Sequence, residues 1–511
     1  MSRKQSYWVL LFWGLAFLVL VNLISNYCLT YFPNTGDESS GLFQSKIFAN
    51  LNLTAAAPPL PFFFKGHYTE VLNGRWFSQY PPLFSLMIAP GHWLGGVNFW
   101  ISIYSCLSLF IIFQILQELE FSKKLSLIFC ILFSISPSYL FYSASLYNHI
   151  GEFLFYLLGM LFFIKYLKDE QRRNLVLVGL FISLQFGIRP YTAFLLSLPL
   201  LGILFSQIFH SNKKWQGVLS LGLPFLAIMS LLLLYNFNQR HDFWQISYLM
   251  AGDNSGKLGF HNLSSAGFKR FGQMIYDTGQ WLFPFGYFEN GNLKYALDSN
   301  FNLGALLMPL SMFYLFYQSF NFKNKWNQIQ QKFLLVGLLS IFLLMLGHLF
   351  YDASGGRYGE RYFFEITWYL FLPGLLLVHG FIEKRQNFAL AFGSGVMLLF
   401  TGFYSFNTAN FFHQANKLRM DPYLKTAGLK EAAPLVFLEG VPEFDPAFYT
   451  LNSPTLEGAV FAVSPTLYAG QIKEGKPIDI MRKVAKDLGK QHFYLYKYSH
   501  QQKKSQLRPM Q

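Results

Sequence analysis

Uncharged apolar stretches of about 20 residues, the length an α-helix needs to cross the hydrocarbon core of a bilayer, recur from Tyr7 to Phe406. Eleven such windows can be drawn, near 7–29, 97–116, 125–142, 149–166, 174–188, 191–209, 216–236, 303–320, 333–350, 363–381 and 388–406. They predict a polytopic α-helical membrane protein with about 11 transmembrane helices. Composition excludes a water-soluble enzyme: 53% of the residues are apolar and 13% charged, about half the charged share of an average soluble domain. Cys28, Cys106 and Cys130 all lie in or at the end of apolar stretches, so neither a disulfide framework nor a cysteine metal site can form in the polar tail.

Charge orients the spans. With the N-terminus inside, the connections on that side hold 15 Lys and Arg against 5 acids, the opposite connections and span mouths 11 against 12, and the tail after Asn407 14 against 9. Every loop obeys the positive-inside rule. Most of the net charge of +14 is thereby explained by topology, and no nucleic-acid partner is implied. The first span opens on Arg3 and Lys4 and runs too long for a signal peptide, which reads as an uncleaved signal-anchor.

Two large loops, 30–96 and 237–302, and the tail then share the outer side. The chain divides into a membrane domain, 1–406, carrying those loops, and a small extracytoplasmic α/β domain, 407–511. In that domain β-rich runs at 434–440, 458–464 and 492–498 flank a helix with Ile478, Met481, Ala485 and Leu488 on one face. The polar end, Gln501 to Gln511, is expected to be disordered. The single-cysteine spans, the basic inner rim and the absence of organelle signals point to a bacterial inner membrane, with the domain facing the periplasm.

Chemistry is expected on the outer side. The first loop opens with Thr35-Gly36-Asp37-Glu38-Ser39. Two adjacent carboxylates there read either as a helix N-terminal signal, favoured by the macrodipole, or as a general base toward an acceptor hydroxyl or amine. The loop continues through Gly74-Arg75-Trp76-Phe77 and Tyr80-Pro81-Pro82 to an apolar run, Leu83 to Leu94, too short to span and suited to an interfacial helix. Arg189, in Gly187-Ile188-Arg189-Pro190, sits where two apolar stretches meet; a charge at that depth either serves function or snorkels to lipid phosphate. Arg357 and Arg361 lie four apart in Arg357-Tyr-Gly-Glu-Arg-Tyr362 and either act on one face or pair with Asp352, Glu360 or Glu365. His149 can bond substrate, move a proton or cap a helix, and Glu152, one turn on, either pairs with Arg189 or contacts carbohydrate.

In order, spacing and sidedness these elements resemble the GT-C superfamily of membrane glycosyltransferases. The likeness is to the branch of the protein O-mannosyltransferases and the lipid A aminoarabinose transferases, over most of residues 1–410. The resemblance implies transfer of a hexosyl or pentosyl group from a polyprenyl-phosphate carrier to a lipid, glycan or protein acceptor, with inversion. It implies Asp37, with Glu38 beside it, as the catalytic carboxylates; Arg75, Arg189, Arg357 and Arg361 as holders of the donor phosphate; and Tyr80, His149, Glu152 and Tyr362 as substrate contacts. Arginine suits the phosphate role because its fork grips two oxygens at once.

No cofactor is required. The histidines His67, His149, His241, His261 and His348 are scattered without metal-ligand spacing; a divalent cation is left open by the resemblance, with no metal ligands assigned. The alternative reading is a transporter or flippase for a lipid-linked saccharide, which predicts ionisable groups near mid-membrane and symmetric halves.

Overall fold

The computed structural model describes residues 3–64, 66, 68–243, 265–282, 286–289, 292–295, 310–315, 317, 327–349, 358, 361–374, 387–430, 433–439, 452–468, 476–499 and 504–510. The helices are α1 (Arg3–Leu23), α2 (Gly36–Ala49), α3 (Leu83–Ile88), α4 (Val97–Glu118), α5 (Lys123–Ser134), α6 (Pro137–Ala144), α7 (His149–Asp169), α8 (Arg172–Phe186), α9 (Pro190–His210), α10 (Lys214–Arg240), α11 (Ser265–Leu282), α12 (Gln328–Leu349), α13 (Asn387–Ala427) and α14 (Pro477–Asp487). The strands are β1 (Ala55–Ala56), β2 (Thr69–Leu72), β3 (Arg75–Ser78), β4 (Gly286–Glu289), β5 (Asn292–Tyr295), β6 (Leu435–Glu439), β7 (Val460–Val463), β8 (Phe493–Ser499) and β9 (Lys504–Met510).

Among the described residues, six helices are long and apolar enough to cross a membrane: α1 with its continuation to Cys28, α4, α7, α9, α10 and α12. The expected span 125–142 is two helices, α5 and α6, bent by 64° at their junction. Pro137 opens α6 and has no N–H to continue the α5 ladder, while Ser136 Oγ donates to the Phe133 carbonyl at 2.7 Å and closes the break. The expected span 174–188 is α8, of 15 residues. Window 303–320 lies mostly, and the end of window 363–381 wholly, outside the described residues, as does half of loop 237–302.

Helices approach closely where glycine removes a side chain. A Cβ on Gly179 would lie 2.1 Å from the Leu221 carbonyl oxygen, so α8 and α10 pack backbone to backbone only because the position is glycine. The helical core is aromatic: Phe133 lies 4.7 Å from Tyr139, Tyr142 4.5 Å from Phe364, and Phe153 5.4 Å from Phe364. Such rings bury large areas in defined geometries, and here they tie α5, α6 and α7 to the segment after residue 361.

Helix α13 runs unbroken from the apolar window 388–406 into the tail. His413 and Asn416, in its second half, bond the carbonyls of Tyr27 and Cys28. The sheet that follows has the order β7-β6-β8-β9, with β6 parallel to both neighbours and β9 antiparallel to β8. Helix α14 packs Met481, Val484 and Ala485 into its core. The expectation of disorder for the chain end is overturned over 504–510, where Leu507 pairs with Tyr496 and Met510 with Phe493. A polar strand covers an otherwise open edge of β8, and polar sequence is what an edge strand carries.

One apolar cluster joins Phe43 and Ile47 of α2, Phe64 and Trp76 of the first loop, and Val436, Phe461 and Tyr496 of the tail sheet. The first large loop and the tail are therefore one packed body.

Candidate active site

The site begins at the N-terminus of α2. Thr35 is the N-cap, and its Oγ1 accepts from Glu38 N at 3.4 Å. Glu38 turns back: Oε2 accepts from Asn34 N at 2.7 Å and from Thr35 Oγ1 at 3.3 Å, in the manner of a capping box, while Oε1 accepts from Leu146 N at 2.9 Å. Its carboxylate is buried and joins the α2 cap to the turn before α7. Asp37, one position earlier, has a different set of partners, Tyr80 and Arg361.

The β2–β3 hairpin is latched onto α2 by serines and a glutamine. Ser40 Oγ donates to the Tyr68 carbonyl at 2.6 Å, and Gln44 Oε1 accepts from Ser78 N at 2.9 Å. Ser78 Oγ in turn accepts from Tyr80 N at 3.1 Å. This fixes Tyr80 where its hydroxyl donates to Asp37 Oδ1. Burial first, and then the neighbouring carboxylate, push the Tyr80 phenol well above the ordinary tyrosine value, so it remains a donor.

The second oxygen of Asp37 is held by Arg361, whose Nη1 donates to Oδ2. Arg361 opens the tight 3-10 turn Arg361–Ile366, from which the chain continues as α-helix over 367–374. Its Nη2 donates to the Tyr362 hydroxyl at 3.0 Å, and its guanidinium lies 5.1 Å from the Tyr362 ring and 5.9 Å from the Tyr147 ring. Burial works against the guanidinium charge, and the Asp37 carboxylate more than restores it, which holds Arg361 above the usual arginine value. Nε of Arg361 is buried and has no hydrogen-bond partner among the described residues.

A second group lies alongside, reached through the same turn. Glu365 Oε1 accepts from Arg189 Nη1 at 2.6 Å, and His149 Nδ1 lies 3.0 Å from Glu365 Oε1 and 2.8 Å from Arg189 Nη1. Glu152 Oε2 is 3.4 Å from Arg189 Nη1, so the ion pair expected as one reading of Glu152 is present. Arg189 is placed by Pro190 at the first turn of α9 and by the bond from Leu83 N to the Gly187 carbonyl at 3.0 Å, which ties its segment to the loop. His149 and Glu152 open α7, where an acid complements the helix dipole.

Seven of the ten expected site residues, Asp37, Tyr80, Arg361, Tyr362, Arg189, His149 and Glu152, thus fall into two adjoining groups, with Glu38 as the brace behind them. Arg75 stands at the far end of β3 from Ser78, about 10 Å along the strand, and its Nη1 is buried without a hydrogen-bond partner among the described residues. Arg357 lies outside the described residues. Two participants were not expected as site residues. Glu365 is a carboxylate within the apolar run Tyr362-Phe-Phe-Glu-Ile-Thr-Trp368, the same signal that marks Glu152. Tyr147, under the guanidinium of Arg361, carries no sequence signal beyond its neighbours. Among the described residues no three of His, Cys, Asp and Glu converge as metal ligands. Both oxygens of Asp37 and both oxygens of Glu38 already accept donors, so the pair offers no free carboxylate to a hard cation.

No family model matches the chain, and no curated protein matches it in sequence. Among solved structures it is similar to the Archaeoglobus fulgidus oligosaccharyltransferase tethered to an acceptor peptide, at 12% identity and a TM-score of 0.48, over 98% of this chain and 74% of that one. It is also similar to ArnT from Cupriavidus metallidurans bound to undecaprenyl phosphate, at 12% identity and a TM-score of 0.44, over 96% and 93%. TM-scores below 0.5 leave the argument to the residues themselves.

Proposed function

We propose that the protein is a membrane glycosyltransferase that moves a hexosyl or pentosyl group from a polyprenyl-phosphate carrier to a lipid, glycan or protein acceptor on the extracytoplasmic face. The observation that carries this reading is Asp37, a carboxylate at a helix N-terminus gripped by Arg361 on one oxygen and Tyr80 on the other.

A carboxylate offers about four acceptor sites, so two remain for substrate while Tyr80 and Arg361 hold the group still. An acceptor O–H or N–H bonds to Asp37 and gives up its proton there as the acceptor atom attacks the anomeric carbon. The bond from that carbon to the phosphate oxygen breaks on the opposite side, and the carrier phosphate departs with the electron pair, inverting the centre. Arg361 links the two ends, since its Nη1 is on the base and its Nε is free to meet the departing phosphate. Arg189, its charge already matched by Glu365 and Glu152, is the weaker of the two phosphate ligands; Arg75 and Arg357 stay as outer ones. Glu38 holds the cap that aims Asp37. Tyr362, His149 and Glu152 border the sugar. No step requires a metal or cofactor.

The buried group of Arg189, Glu152, Glu365 and His149 favours a second reading, a transporter or flippase for a lipid-linked saccharide, because ionisable groups at such depth also mark translocation paths. A panel of radiolabelled polyprenyl-phosphate sugars with an envelope extract separates the two. A transferase releases free carrier phosphate only when the extract supplies an acceptor, and a transporter moves the intact lipid with no release.

A further inference from the structure

The end of the helical bundle away from Asp37 holds a cavity of about 500 Å³ between the α7–α8 turn and the α9–α10 turn. It lies at the far end of α7 from His149, about 30 Å along the helix axis. Arg172, Arg173 and Lys213 line it, with Ser211 and one acid, Glu170. Lys168, at the end of α7, pairs with Glu118 at 2.8 Å. Arg172, Arg173, Lys213 and Lys214 form no ion pair with any described residue. The other acid at the rim, Asp169, accepts from Gln171 N and Asn174 Nδ2, both at 2.9 Å.

These cations gather at two helix starts. Helices α8 and α10 both begin at the cavity, neither has an acid in its first turn, and neither N-cap side chain, Gln171 or Lys213, accepts from a first-turn amide; the N-cap amides themselves donate to Asp169 Oδ1 at 2.9 Å and to Ser211 Oγ at 3.2 Å. Two positive helix ends are thus brought together with four basic side chains, where the macrodipole calls for anions. Close packing enforces the meeting: Gly179 admits the α10 backbone, and a Cβ on Gly217 would lie 2.9 Å from Ile208 Cγ2. The flanking helices expose Phe209, Trp215 and Leu219, with Trp215 71% exposed. An outward tryptophan next to basic residues is the pattern of a membrane–water boundary.

We propose that this cavity binds the phosphodiester headgroup of an anionic phospholipid, held by Arg172, Arg173 and Lys213 at the starts of α8 and α10. A basic pocket between spans at headgroup depth has the charge, size and position for that occupant, and the lipid's acyl chains continue onto the apolar helix faces. The site is independent of the chemistry at the other end of the bundle.

The test is a lipid titration of the full-length protein in zwitterionic detergent, read by native mass spectrometry, with phosphatidylglycerol and phosphatidylcholine of the same chain length. The wild type is expected to bind phosphatidylglycerol at least tenfold more tightly. The Arg172→Gln/Arg173→Gln/Lys213→Gln variant is expected to lose about a hundredfold of that affinity, and the Lys123→Gln/Lys124→Gln control to change less than twofold. A melting temperature in lipid-free detergent equal to the wild type's shows that the variant is folded. If it melts early, Arg172→Gln and Lys213→Gln singly carry the test, each with a loss of about fivefold. Equal binding of the two lipids, or unchanged affinity in the variants, overturns the proposal. Displacement of phosphatidylglycerol by millimolar inorganic phosphate also overturns it and makes the cavity a site for soluble phosphate.

Discussion

Asp37 and Glu38 are neighbours in sequence with opposite surroundings, and their substitution should separate function from folding. Glu38→Ala removes the acceptor of two buried amides, Asn34 N and Leu146 N. Each orphaned donor costs about 1–3 kcal/mol, so the variant is expected to melt several degrees early and to lose activity along with structure. Tyr80→Phe removes one donor from Asp37 and leaves Arg361 in place; its melting temperature should stay close to the wild type while turnover falls roughly tenfold, as a less constrained base would give. The sequence could name Asp37, Glu38, Arg189 and Arg361, because charged residues at the mouths of apolar stretches stand out. It could not assign their partners, since the residues that face one another are far apart in the chain: Arg361 and Asp37 are separated by 324 positions and Arg189 and Glu365 by 176. Glu365 was legible as a possible partner of Arg357 or Arg361; packing instead gives it to Arg189 and gives Arg361 to Asp37.

At the scale of elements, glycine and histidine positions carry the sharpest consequences. Gly179→Ala places a methyl group 2.1 Å from the Leu221 carbonyl, which α8 and α10 can relieve only by separating; a loss of about 1–3 kcal/mol is expected from overpacking, seen as earlier melting in detergent. His92, in the short helical segment after α3, lies 2.8 Å through Nε2 from Ser45 Oγ, and burial together with Lys46 lowers its pKa to about 4 from 6.5. A histidine depressed in the folded state stabilises above its unfolded value and loses that contribution as pH falls from 6.5 toward 4. Acidification over that window should therefore destabilise the wild type more than His92→Gln, by thermal melting at stepped pH. Long apolar elements were readable from hydropathy, whereas the bend between α5 and α6 was not, since the whole window 125–142 is apolar on either side of Pro137. Strand β9 was misread because its residues are polar. Pairing with β8 orders it, and pairing is a property of the partner.

For the whole molecule, the first loop and the tail share one apolar cluster, so Asp37 is presented by a body built from two distant parts of the sequence. Its other face meets the turn that carries Arg361 and Glu365. The two halves of the candidate site, base and phosphate ligand, therefore come from different bodies and meet across one ion pair. That arrangement makes a carboxylate-to-amide change at Asp37 the most direct test of the account. The measurement is release of carrier phosphate from a polyprenyl-phosphate sugar by wild type and Asp37→Asn, in the same detergent and with the same envelope extract, alongside their melting temperatures. The account predicts wild-type release that needs the extract, a loss of about 10²–10⁴-fold in the variant, and melting temperatures within a few degrees of each other. Turnover by the folded variant at the wild-type rate would contradict it and leave Asp37 as a charge at the end of a helix.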